Sequence, residues 1–263
     1  MKKFILLLFS SISNAVFAQD ILKITYVAVP RENSETFLEL HKKFTNLSLG
    51  EARTIKQSVV FAHAFAGDYT YAIYDFYDSE EGLVVDATIS QNILEANIKA
   101  MNLDTEAQKE MNKEYLNYLE MYTTGHSDQI RTSKGLEELG FLNDTIDWST
   151  KKVVVVSKYN TKSGKNTDFR EVWVDSNLKM LKDSGKVVSV YTSRHLYGSG
   201  MDWHSYMFYN SWSDFAAYEE SNFGDAMSAI DNKFWSAIIG HEDEILMWIG
   251  AINPETKMFY YAK

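Results

Sequence analysis

The 263-residue chain contains no cysteine. That excludes disulfides, thiolate metal sites and cysteine nucleophiles, so the fold must rest on its core alone. After the first eighteen residues, no apolar run approaches the roughly 20 residues needed to span a bilayer. Positive charge is also scarce: 26 Lys and Arg stand against 36 Asp and Glu, for a net charge of −10. Such a chain repels phosphate backbones and anionic lipid, so nucleic acid is not an expected partner. Several catalytic signatures are missing: no Walker loop, no GxGxxG, no G-x-S-x-G elbow and no HExxH. No Glu, Asp or second His stands at a ligand spacing such as H-x-x-x-H from any histidine, so no metal site is expected.

The N-terminus is rich in one kind of signal. Lys2 and Lys3 precede the apolar run Phe4–Phe9, and Ala15-Val16-Phe17-Ala18 places small residues at the −3 and −1 positions of a cleavage site. This is the pattern of a secretory signal peptide, with a mature chain starting near Gln19. It predicts an exported protein, periplasmic or extracellular, without a membrane anchor after cleavage. The remaining body of about 245 residues, with 45% apolar residues overall, suits one large domain or two of about 110 residues. Removing Lys2 and Lys3 takes the net charge from −10 to −12.

Within that body a weak self-similarity emerges. Phe76-Tyr77-Asp78-Ser79 resembles Phe208-Tyr209-Asn210-Ser211, 132 residues later. At the same offset His63 meets His195, Tyr74 meets Tyr206, Tyr71 meets Trp203, and Phe37 with Glu39 meets Phe169 with Glu171. A second echo joins Gly125-His126-Ser127-Asp128-Gln129-Ile130 to Gly240-His241-Glu242-Asp243-Glu244-Ile245 at an offset of 115. The difference of 17 predicts a longer helix in the first copy, over Leu103–Tyr122, which has neither Gly nor Pro.

Each copy reads as β-α-β-β-α-β. In the first copy, strands are expected over 22–29, 55–66 and 69–77, with a helix over 34–49. In the second they fall at 153–159, 187–197 and 202–209, with a helix over 167–181. Ser34 and Thr167 are candidate N-caps of the first helices, Ser79 and Ser211 of the second. Gly67-Asp68 and Gly198-Ser199-Gly200 mark hairpin turns. The last strands open at the GHxDxI motifs. The expected division is 1–18 signal peptide, 19–132 first repeat, 133–150 linker with an Asn143-Asp144 turn, and 151–263 second repeat.

This tandem order resembles the dimeric α/β-barrel superfamily, the ferredoxin-like barrels that include antibiotic-biosynthesis-type monooxygenases, EthD-like proteins, chlorite dismutase and dye-decolourising peroxidases. The resemblance covers most of 22–252 and rests on element order rather than on a diagnostic motif. It implies an α+β fold with two antiparallel sheets facing each other as a fused barrel, and ligands between a sheet and its helices or inside the barrel. Haem is the cofactor some relatives imply, although nothing singles out an axial histidine. Fold alone does not decide function.

Candidate ligand-binding residues follow from the repeat. His63 and His195 lie on strands among aromatics, an apolar surface with one polar group. Tyr71 and Trp203 are a matched aromatic pair, and Arg194 offers a charge for an anion. His126 and His241 stand two residues before an Asp, the spacing that can fix an imidazole tautomer, and also the spacing of a simple strand-entry turn. Two functional readings lead, ahead of a third in which the long first-copy helix docks the chain into a larger envelope assembly. One is a small-molecule-binding or structural envelope protein; the other is a monooxygenase-like or haem-dependent oxidoreductase with its site near His195.

Overall fold

The computed structural model describes residues 20–65, 67–143, 146–222 and 229–263. The signal-peptide reading and Asp144 of the expected turn lie outside them. In chain order the elements are β1 (Ile21–Val27), α1 (Ser34–Ser48), β2 (Gln57–His63), β3 (Tyr71–Tyr77), α2 (Glu80–Ala100), α3 (Thr105–Thr123) and β4 (Ser127–Thr132). After β5 (Phe141–Leu142) come β6 (Lys152–Thr161), α4 (Asn166–Val172), a π-helical stretch (Trp173–Leu178) and α5 (Lys179–Asp183). The chain ends with β7 (Val187–Gly198), β8 (Trp203–Tyr209), α6 (Trp212–Asn222), α7 (Ala229–Ser236), β9 (Ile238–Ile252) and β10 (Phe259–Tyr261).

The strands are alternating apolar sequences that are buried on both faces. One face of each strand turns into a common interior, carrying Leu22, Ile24, Val59, Phe61, Tyr74, Phe76, Val154, Val156, Phe208 and Trp248. The other face lies under helices: Val27, Val60 and Ile73 against Phe37, Leu40 and Phe44 of α1, and Val153, Val155 and Met207 against Phe169, Val172 and Leu181. Double burial explains continuous runs such as Val153–Val156.

The N-terminal sheet has the order β4-β1-β3-β2 and the C-terminal sheet β9-β6-β8-β7, all antiparallel. The two sheets do more than face each other. β2 pairs with β9 and β4 with β7, which closes an eight-stranded barrel; β10 adds beside β9 and β5 beside β7.

Four expectations need correcting. The extra helical residues of the first half form a separate helix, α3, not an extension of α2. Asn102 adopts a left-handed φ of 49° and stops α2, and Asp104 accepts the Ala107 N–H at 2.9 Å to start α3. Ser34 and Thr167 are inside their helices; Asn33 and Lys165 hold the N-cap places without a side-chain cap, and a 3-10 turn at 31–33 runs directly into α1. The helix expected over 167–181 is interrupted by the π-helical stretch. The last strand of the C-terminal half begins at Ile238, ahead of its GHxDxI motif. Ser79 and Ser211 do cap their helices, accepting the backbone N–H of Gly82 and Asp214 at 3.1 Å each.

The 133–150 stretch is packed rather than free. β5 pairs with β7, and Leu142, Ile146 and Trp148 plug one end of the barrel together with Tyr260 and Ala262. The other end is polar.

Candidate functional site

The sequence-selected residues do not converge on one place. His63 lies inside the polar barrel end, with Nδ1 2.5 Å from the Phe65 carbonyl, Nε2 4.0 Å from Glu244 and its ring edge-on to Tyr69. A Cβ on Gly67 would stand 2.9 Å from this imidazole. His195 Nε2 bonds the Gly198 carbonyl at 2.8 Å. Gly198 has φ +93°, and a Cβ on it would meet the Asp128 carbonyl at 2.7 Å, so the turn needs glycine. Tyr71 faces outward and stacks on Phe37 of α1 at 5.2 Å.

Trp203 is buried under α4, bonded to Asn166 at 3.2 Å, with the exposed Arg194 guanidinium 5.9 Å from its ring. His241 stacks on Tyr159 at 4.8 Å and pairs with Asp243 at 3.2 Å, while His126 is exposed and bonds the Thr123 carbonyl at 2.7 Å. Most of these imidazoles thus bond local carbonyls or a neighbouring carboxylate.

Two voids stand out in the interior. The barrel itself is nearly filled, with a cavity of about 50 Å3 among Phe61, Tyr74, Trp148, Tyr206, Phe208 and Trp248. The second, about 120 Å3, lies between the outer face of the N-terminal sheet and helices α1 and α3. Its polar wall comprises His41, Thr45, Ser48, Arg53, Ser58, Asp75, Tyr118 and Tyr122.

The buried stripe of α1 places His41 there. Phe37, Leu40, His41 and Phe44 recur at three- and four-residue spacing and face the sheet. The imidazole stacks on Phe37 at 5.8 Å, meets Phe259 edge-on at 5.2 Å, and bonds the Tyr118 hydroxyl through Nδ1 at 3.0 Å. Its Nε2 is buried without a protein partner. Burial pushes the imidazole down to about 4, so it is neutral at physiological pH.

Asp75 stands on the outer face of β3, between Lys23 of β1 and Ser58 of β2. Ser58 donates to its Oδ1 at 2.6 Å. Burial raises the carboxyl, and the Ser58 bond, Lys23 and Arg53 only partly oppose this. Desolvation likewise raises the Tyr118 and Tyr122 phenols.

One side of the cavity is fixed by an ion pair. Arg53 donates to both carboxylate oxygens of Asp86, from Nε at 2.9 Å and Nη2 at 2.6 Å, and from Nη1 to the Ser48 carbonyl at 2.9 Å. Burial alone would raise the Asp86 carboxyl; the Arg53 bonds and charge outweigh it and hold it below its ordinary range. The site therefore places a neutral imidazole and a carboxyl raised by burial on the wall of one cavity. That is the pattern expected of a binding or acid–base site.

The corresponding place in the C-terminal half is filled. At the 132-residue offset His41 gives way to Trp173, Asp75 to Met207 and Ser58 to Val190, and all three are buried. Trp173 spends its indole N–H on the Leu139 carbonyl at 3.1 Å. Sequence reading passed over His41 because its offset partner is not a histidine. The one available signal was a histidine on the apolar stripe of an amphipathic helix.

Haem does not fit the residues present. The two interior voids are far smaller than the roughly 300–1,000 Å3 of an organic-ligand site. The C-terminal sheet–helix gap is closed by Phe169, Trp173, Trp203 and Phe234 in mutual contact. Among the described residues, no three histidine, aspartate or glutamate side chains converge as a metal site. No described helix is long and apolar enough to cross a membrane.

No family model matches the chain, and no curated protein matches it in sequence. Solved structures do match in fold. A candidate monooxygenase from Fusobacterium nucleatum is 9% identical, with a TM-score of 0.56 over 94% of this chain and 99% of its own. An anthrone oxidase-like protein is 11% identical, with a TM-score of 0.54 over 93% and 97%. A variant of chlorite dismutase from Candidatus Nitrospira defluvii is 7% identical, with a TM-score of 0.53 over 90% and 94%. At these identities the likeness is one of architecture, and with the closed antiparallel barrel it leads to one statement: the chain has the fold of the dimeric α/β-barrel superfamily, with both halves of the barrel supplied by a single polypeptide.

Proposed function

We propose that this chain is an exported small-molecule-binding protein, periplasmic or extracellular after removal of residues 1–18. Its two halves are tandem copies of one ferredoxin-like unit, 19–132 and 151–263, of which only the first keeps a ligand site. The observation that carries this reading is the polar cavity of about 120 Å3 under α1 and α3, lined by the buried His41, whose Nε2 has no protein partner. A cavity of this kind holds a compact molecule of one small ring or less; a 150 Å3 apolar cavity takes up benzene. His41 and Asp75 then select a ligand that carries a hydroxyl or amide.

The test is a thermal-shift screen of the mature protein against small polar and aromatic metabolites, repeated with His41→Gln and Asp75→Asn. A ligand that raises the wild-type Tm and loses its effect in both variants supports the reading. A panel without any shift, or shifts retained by both variants, refutes it. An enzymatic reading, a cofactor-independent oxygenase, draws on the same pair. A carboxyl raised by burial beside an imidazole lowered by burial is suited to moving a proton on a bound substrate. Oxygen consumption by the wild type with the screened ligand, absent in His41→Gln, distinguishes turnover from binding alone.

A further inference from the structure

The polar end of the barrel holds more buried positive charge than its carboxylates balance. Alternation along β4, β6, β8 and β9 turns Arg131, Lys158, His204 and Glu244 into the interior, with Lys158 and His204 directly opposite each other on paired strands. Glu244 is the carboxylate at this end; its Oε1 is buried beside Lys158 without a hydrogen bond. It meets Lys158 Nζ at 3.0 Å, accepts the Tyr69 hydroxyl at 2.6 Å and lies 4.0 Å from His63. Arg131 is fully buried and touches no carboxylate; its donors go to Ser193, Gln129 and the Met201 and Asp202 carbonyls at 2.8–3.4 Å.

His204 adds a second, independent observation. It is fully buried, its Nδ1 meets the Tyr206 hydroxyl at 3.2 Å, and its Nε2 has no partner. Where Tyr206 donates to Nδ1, Nε2 carries the hydrogen and is a donor without an acceptor. Arg131 and Lys158 are the charges that, after burial, bear most on this ring, and both act as positive neighbours. A buried N–H in positive potential is half of an anion site. Beneath it, Tyr206 and Tyr74 also line the apolar cavity of about 50 Å3, room for two or three carbons.

We propose that the polar end of the barrel binds a short-chain carboxylate, its head accepting from His204 Nε2 beside Lys158 and its tail reaching the apolar cavity. This site is separate from the cavity at His41, on the opposite face of the sheet. Titration of the mature protein with propionate at constant ionic strength, followed by tryptophan fluorescence, tests it directly, since Trp148 and Trp248 border the cavity. Saturable binding is expected, at least tenfold weaker for uncharged propionamide and for Lys158→Met. His204→Phe, which keeps a ring in place, should lose binding while unfolding cooperatively. Absence of saturation, equal affinity for the amide, equal displacement by chloride, or unchanged affinity in both variants would overturn it.

Discussion

The two sheet–helix gaps of this barrel occupy the same place in their respective halves and are built from opposite chemistry. In the N-terminal half, His41, Ser58 and Asp75 line a polar void beneath α1 and α3. In the C-terminal half, Trp173, Val190 and Met207 fill the equivalent volume, within a cluster where Phe169 stacks on both Trp173 and Phe234. The difference separates two roles. A packed half contributes stability, because close-packed apolar side chains gain dispersion and lose water contact. A half with buried polar groups facing a void gives up some of that stability, and such arrangements concentrate at functional sites.

The largest way to break the comparison is to empty the filled side. Trp173→Ala should cost about 3–5 kcal/mol in chemical denaturation, as expected of a fully buried aromatic. Removing one partner of the ion pair that walls the open side should be nearly as costly. Arg53→Ala strands Asp86, at roughly 3–5 kcal/mol, and a denaturation midpoint unchanged from wild type would show that the pair does not hold this wall.

A third prediction concerns pH. The folded His41 is lowered from 6.5 to about 4 by burial. Below pH 6.5 the unfolded chain therefore takes up a proton that the folded chain refuses. Stability falls as pH drops from 6.5 toward 4 and levels off below, by about 3 kcal/mol for this residue. His204, also lowered by burial, adds to the same slope, and the raised Asp75 opposes it at the acid end. Denaturation across this range should show the slope reduced in His41→Phe; an identical slope would contradict the assignment.

The smallest effect sharpens the likeness instead. Ser79 and Ser211 cap equivalent helices, so Ser79→Ala and Ser211→Ala should each cost about 1 kcal/mol, and a large disparity would show that the two halves use their caps differently.

Much of the architecture was legible in the sequence, and the reasons are physical. Period-two alternation, glycine turns and the two serine caps announced strands, hairpins and helix starts because each is decided locally. The separate α3 was readable only as extra helical length, since the left-handed Asn102 and the Asp104 cap that split it leave a faint compositional trace. Closure of the barrel through β2–β9 and β4–β7 is long-range, and nothing in either strand names its partner.

The site was less legible. Matching histidines by offset selected His63, His195, His126 and His241, whereas the residue lining the polar void is His41, whose offset position holds Trp173. Symmetry in such a chain marks what both halves share, which is the scaffold. Function is better sought where one half departs from the other.

The central claim is that the N-terminal half differs from the C-terminal half by holding a ligand site. It is tested most directly by giving the first half the residues of the second. His41→Trp combined with Asp75→Met should fold to the same barrel with equal or greater stability, and should abolish every thermal shift that a small polar ligand produces at this site in the wild type. A double variant that still responds to the same ligand with the same affinity would contradict the account.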